Sequence, residues 1–93
     1  MPKDSAIWLA IRLKPLADPV RLQLLEHLLH QPAREDCTCN LAPLVKLSEP
    51  TVSHQLKKLE ASGNLIKERH GMSVYYSVVA EAITAIAKVL HVV

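Results

Sequence analysis

The stretch Leu47-Ser48-Glu49-Pro50-Thr51-Val52-Ser53-His54-Gln55-Leu56-Lys57-Lys58-Leu59 decides the fold. Ser48 suits an N-cap, because its hydroxyl can accept from a free backbone N–H, and Glu49 suits the positive end of the helix dipole. At about 100° per residue, Val52, Leu56 and Leu59 share a narrow arc, which predicts the buried side. Thr51, His54, Lys57 and Lys58 fall opposite, with Ser53 and Gln55 at the margins of that polar face. Gly63 is free to adopt the left-handed conformation that ends a helix. Upstream, Asn40 is expected to cap a short helix, with Pro43 in its first turn, where a missing N–H costs nothing. Lys46-Leu47 turns the chain, so Asn40 to Gly63 reads as a helix-turn-helix.

Working outward, Leu65–Arg69 and Val74–Val78 are short strand candidates joined by His70-Gly71-Met72-Ser73, a hairpin turn. A last helix runs from about Ala80 to Leu90, with Ile83, Ile86, Ala87 and Leu90 at i, i+3, i+4 and i+7. Toward the N-terminus, Ser5 to about Lys14 is a short amphipathic helix that Pro15 ends or kinks. Asp18-Pro19 restarts the chain as N-cap and first helical residue. The helix that follows carries Leu24, Leu25, Leu28 and Leu29 and stops near Gln31-Pro32. Ala33–Cys39 is polar and reads as a connection. The predicted architecture is mainly α with a small β-hairpin: a single winged helix-turn-helix domain over residues 1–93, in the order α-α-α-α(recognition)-β-β-α.

Ninety-three residues make one domain whose core, as a monomer, would be marginal. Hydrophobic content is 49% with no Phe, so burial must come from aliphatic side chains, and only two glycines favour helices over a sheet-rich fold. The net charge of +2 is too small to argue nucleic-acid binding by itself. No targeting signal is visible, and the apolar stretch Ala80–Val93 is too short to cross a bilayer. The expectation is a cytoplasmic protein without a membrane partner, whose two cysteines stay reduced.

Hydroxyl, amide and imidazole groups near a helix N-terminus suit base edges in a major groove, which nominates Thr51, Ser53, His54 and Gln55. Lys57 and Lys58 lie further along, where phosphate contact is expected. Lys67, Arg69 and His70 make the hairpin basic, and Arg69 joins the nominated DNA-binding residues. The bland alternative is the solvated face of a surface helix, and Lys46–His70 holds only five Lys plus Arg against three Glu.

Cys37-Thr38-Cys39 uses the chain's only cysteines one residue apart, at the mouth of this motif. In a helix, i and i+2 point about 200° apart, whereas in an extended segment they face the same way. A shared ion therefore requires both cysteines to precede the helix or to lie at its frayed start. Thiolates select soft ions such as As(III), Cd(II), Pb(II), Hg(II), Cu(I) or Zn(II). A disulfide between the two would close a very tight ring and is not expected. Two buried, structural cysteines are the bland reading, which the polar neighbours Glu35, Asp36, Thr38 and Asn40 weaken. His27 and His30, three apart on one helix, could share a metal, but a polar helix edge is the simpler reading.

Leu16-Ala17-Asp18-Pro19-Val20-Arg21-Leu22 resembles the "LADPTRL" opening of the ArsR/SmtB metalloregulator family. Leu47–Leu59 looks like that family's recognition helix, and Leu65-Ile66 through Val74-Tyr75-Tyr76 looks like its wing. Glu35-Asp36-Cys37-Thr38-Cys39-Asn40-Leu41 is similar to its helix-three site, "ELCVCDL". The resemblance covers nearly the whole chain. It implies a homodimeric, cytoplasmic repressor that releases operator DNA, an imperfect palindrome, when an inducer binds. Its terminal helices would form the dimer interface, which here nominates Trp8, Ile11, Ile83, Ile86 and Leu90.

The resemblance places the metal ligands on Cys37 and Cys39. The third cysteine of arsenical-responsive members is Ala42 here, and Met1–Lys14 lacks the cysteines of the cadmium- and lead-responsive arm. Two thiolates with an external third ligand suit pyramidal As(III). The family's zinc site on the last helix falls on Ala80 and Ala82, with Val93 near the third position, so it is absent, and His91 alone does not rebuild it. Alternatives are a thiol-redox-responsive repressor, a repressor of another metal such as Cd(II), Pb(II), Hg(II) or Ni(II), and an interaction module without DNA affinity. An enzyme is disfavoured, since no Cys-x-x-Cys pair, glycine-rich phosphate loop or His-Glu-x-x-His occurs.

Overall fold

A computed structural model describes residues 1–90. Five helices and three strands follow in the order α1 (Lys3–Leu13), α2 (Pro19–Leu29), β1 (Glu35–Cys37), α3 (Thr38–Val45), α4 (Glu49–Ala61), β2 (Leu65–His70), β3 (Ser73–Val78) and α5 (Ala80–Leu90). Short 3-10 turns, Lys14–Leu16 and Pro32–Arg34, flank α2. This is the expected winged helix-turn-helix, with one strand more than the sequence suggested. That strand, β1, lies inside the segment read as a connection, and its three residues pair antiparallel with β3. The sheet order is β1-β3-β2, so the wing hairpin also anchors the chain that leads into Cys37.

The helix starts follow from side-chain capping. Asp18 Oδ2 accepts from the Arg21 N–H at 3.0 Å, and Pro19 opens α2. Ser48 Oγ accepts from the Thr51 N–H at 3.3 Å and opens α4. The start of α3 differs from expectation. Its N-cap is Cys37, not Asn40, so Pro43 is the sixth residue of the helix rather than part of its first turn. The Cys39 carbonyl therefore lacks the N–H that would close its helical hydrogen bond, which loosens the ladder at the cysteine end. At the other end, Lys46 takes the left-handed conformation and the chain turns into α4.

Leu24, Leu28, Leu41, Val52, Leu56, Leu59 and Tyr76 are fully buried and join α2, α3, α4 and the sheet in one core. The arc of Val52, Leu56 and Leu59 predicted from spacing is the face that packs inward. Gly63 has φ +87, and a Cβ there would sit 3.0 Å from the Arg12 guanidinium. Arg12 itself lies over the Trp8 ring, 3.5 Å from its centroid. Buried Asn64 completes the junction by donating Nδ2–H to the Arg12 carbonyl at 2.9 Å. These contacts tie α1 to the end of α4.

The helices α1 and α5 pack together, with Leu9, Ala82 and Ile86 buried. Of the nominated dimer residues, Ile86 is thus already inside the protomer, and Ile83 packs against its core. Trp8 is half-buried under Arg12, while Ile11 and Leu90 are exposed, at 52% and 65%. Ile7 and Val89 add to the uncovered apolar surface of the two helices. Among the described residues no helix is long and apolar enough to cross a membrane.

Candidate functional site

The polar face of α4 is open along its length. Thr51, His54, Lys57 and Lys58 are exposed, and Ser53 and Gln55 are half-buried at its edges. Ser48 Oγ also lies 2.8 Å from Thr51 Oγ1, so the cap orients the first polar side chain of that face. Gln55 is held differently: Arg21 Nη1 donates to its Oε1 at 2.6 Å. Arg69 and Lys67 stand exposed on β2, in the wing. Beyond them the two-residue turn at Gly71, φ +62, carries Met72 almost fully into solvent.

Tyr76 fills the space beneath this face. Burial raises its hydroxyl pKa, as does the charge of Glu60, while the Ser53 hydroxyl pulls the other way. Among the described residues, Ser53 does not reach hydrogen-bonding geometry and the buried Tyr76 hydroxyl has no partner.

The two cysteines converge at the first turn of α3. Cys37 is 2% exposed and ends β1, whereas Cys39 is exposed on the second residue of the helix. Their Cα atoms are 5.2 Å apart and their sulfurs are joined as a disulfide, against the expectation of two separate thiols. The backbone explains the convergence. Cys37 is extended, with φ −87 and ψ 156, while Cys39 is already helical, and that single change of direction brings both side chains to one side. Both cysteines need not precede the helix; one extended residue suffices.

Asp36 organises this turn. Its Oδ1 accepts from the Cys37 N–H and from Asn40 Nδ2, each at 2.8 Å. Its Oδ2 lies 2.9 Å from His27 Nε2, and since an ionised carboxylate only accepts, the imidazole is the donor. Burial pulls the Asp36 pKa upward, but Asn40, His27 and the Cys37 N–H outweigh it and leave the carboxyl below its ordinary range. His27 and His30 do not share a site, because His30 Nδ1 turns to the Glu26 carbonyl at 2.8 Å. Among the described residues no group of three or more His, Cys, Asp or Glu is placed to hold a metal. Ala82 is buried, and His91 and Val93 lie outside the described residues. The sequence did not single out Asp36 or Arg21, because His27 and Gln55, to which they bond, come from other elements.

The fold and the polar face of α4 define the class, a winged helix-turn-helix protein. Residues 18–67 match the family described as bacterial regulatory protein, arsR family, and the chain belongs to it. A transcriptional repressor SmtB homolog of Synechocystis sp. is 43% identical over 77 residues, 83% of this chain and 56% of that protein. The cadmium resistance transcriptional regulatory protein CadC of Listeria innocua is 35% identical over 63 residues, 68% of this chain and 51% of that protein. Among solved structures, HlyU from Vibrio cholerae superposes with a TM-score of 0.79 at 28% identity, covering 98% of this chain and 95% of that one. The chain spans about half the length of these two curated relatives. The family and both curated relatives are regulators of transcription, not enzymes.

Proposed function

We propose that this protein is a homodimeric, operator-binding repressor of the cytoplasm that releases DNA when a soft metal or metalloid ion, As(III) above others, bridges Cys37 and Cys39. One observation carries the reading: both sulfurs meet at the first turn of α3, the helix packed directly against the recognition helix α4. The donor set fits a pyramidal ion with two protein thiolates and an external third ligand. A bridging ion would hold the two thiolates at its own separation. That strains a helix start whose ladder is already loosened by Pro43, and α3 passes the displacement to α4. Thr51, Ser53, His54, Gln55, Lys57, Lys58 and Arg69 are the residues assigned to DNA. Paired reading heads must meet half-sites about 34–36 Å apart, so a small tilt of each head suffices for release.

The identity to the SmtB homolog and to CadC supports this reading, and the exposed Ile11 and Leu90 beside Trp8 support dimerisation through α1 and α5. The test is release of a labelled operator duplex from the reduced protein, titrated with As(III), Sb(III), Cd(II), Pb(II), Zn(II), Hg(II) and Ni(II). Release that survives Cys37→Ser/Cys39→Ser would place the sensor elsewhere. The disulfide favours a second reading, in which oxidation of the two thiols to the disulfide, with two electrons and two protons passing to an oxidant, is itself the signal. It predicts release by oxidant in metal-free buffer and restoration by a thiol reductant.

A further inference from the structure

Gln55 sits on the flank of α4 between its DNA-facing side and the core, and its amide is not free to turn. Arg21 Nη1 donates to Gln55 Oε1 at 2.6 Å while Arg21 Nε donates to the Pro15 carbonyl, also at 2.6 Å. A guanidinium has donors only, so the Gln55 atom facing it must be the carbonyl oxygen. Two-point attachment prevents the guanidinium from swinging away, and the Arg21 backbone is itself pinned by Asp18. The Gln55 carboxamide is left to offer its NH2 group outward. With its oxygen held on the Arg21 side, the amide has a fixed orientation, and its NH2 group is the end set away from α2.

Its neighbours on the flank offer donors as well. Thr51, Gln55 and Lys58 stand at i, i+4 and i+7, one stripe along the helix edge. Lys58 and Lys14, both exposed, line with Arg21 and Ile11 an open cavity at the corner of α1, α2 and α4, and among the described residues no carboxylate lines it. A row of N–H and ammonium donors at the edge of a groove-reading helix fits the acceptor oxygens of a DNA backbone.

We infer that Arg21 is a positioning residue that makes Gln55 an obligate donor to an operator phosphate, on a backbone-binding flank completed by Lys58 and Lys14. The inference rests on the operator-binding reading above. Binding is measured on a duplex selected by the wild-type protein from a randomised pool, and on single-base variants of it. Gln55→Ala is expected to weaken binding about tenfold per half-site, the size of one hydrogen bond to a charged group. The loss should be equal across base variants, with the salt dependence unchanged because no cation is removed. Lys58→Ala, which removes one phosphate contact from each half-site, should instead reduce the salt slope by about two for the dimer. In an Arg21→Met background the Gln55→Ala penalty should shrink to about threefold or less, since the amide is no longer oriented. Gln55→Glu, which keeps a partner for Arg21 but has no N–H to give, should bind at least as poorly as Gln55→Ala, and it keeps the test open should Arg21→Met fail to fold.

An equal Gln55→Ala penalty in both backgrounds would reduce Arg21 to a structural residue and overturn the inference. So would a loss confined to one base pair, or wild-type binding by Gln55→Glu. If the wild type selects no duplex, the operator reading fails and takes this inference with it. If it selects one and Gln55→Glu binds equally well, only this inference falls.

Discussion

His27 on α2 donates to Asp36 at the head of the cysteine turn, Nε2 to Oδ2 at 2.9 Å. The other oxygen of the same carboxylate holds the Cys37 N–H and the Asn40 side chain. One acidic residue therefore connects the Leu-rich helix, the edge strand and the first turn of α3. Asp36→Ala is expected to cost about 1–3 kcal/mol, because it leaves the Cys37 N–H and two side chains without their acceptor. His27→Ala removes one of the three bonds and should cost less. Urea denaturation of the two variants measures the order, and equal costs would contradict it.

The cysteines differ in burial, so their replacements should differ too. Under reducing conditions Cys37→Ser puts a hydroxyl at a 2% exposed position and should destabilise the fold by about 1–3 kcal/mol. Cys39→Ser, at an exposed position, should stay within about 0.5 kcal/mol of the reduced wild type. Both should lose ion-triggered release, so stability and sensing separate at Cys39. Retained release in the Cys39→Ser protein would contradict the bridging reading.

Tyr76 carries a buried hydroxyl without a partner among the described residues, and its pKa is raised by burial and by Glu60. Tyr76→Phe is expected to be neutral or stabilising by about 1 kcal/mol at pH 7. The raised value also sets a direction with pH. The folded state holds this proton more tightly than the unfolded chain, so the contribution is complete below the unfolded value of about 10. It is lost as pH rises through the folded value. Thermal midpoints of wild type and Tyr76→Phe should therefore diverge above about pH 10, the wild type falling faster.

The exposed apolar surface of α1 and α5 gives a fourth test. Ile11→Lys changes a residue that is 52% exposed in the protomer, so the fold should tolerate it. If α1 and α5 form the dimer interface, sedimentation should show a shift toward monomer. Ile86→Lys should instead unfold the protomer, because Ile86 is buried within it. A dimeric Ile11→Lys protein would move the interface elsewhere.

Local chemistry made much of this protein legible from its residues. The caps at Asp18 and Ser48, the stop at Gly63 and the arc of Val52, Leu56 and Leu59 all depend on neighbours within one or two turns. Such signals are written in spacing, and the winged helix-turn-helix and the polar face of α4 followed from them. What depended on distant partners was hidden. The edge strand Glu35–Cys37 exists because β3 offers it a partner about forty residues later in the chain. That pairing extends Cys37, moves the start of α3 forward to Thr38, and brings the two sulfurs together where a helix alone would have parted them. The holds on Asp36 by His27 and on Gln55 by Arg21 likewise join helices that only folding makes adjacent. Sequence alone determined the helices, the wing hairpin and the chemistry they carry; tertiary contact decided the edge strand and which side chains are held, and in what orientation, because those bonds form between segments with no local reason to meet.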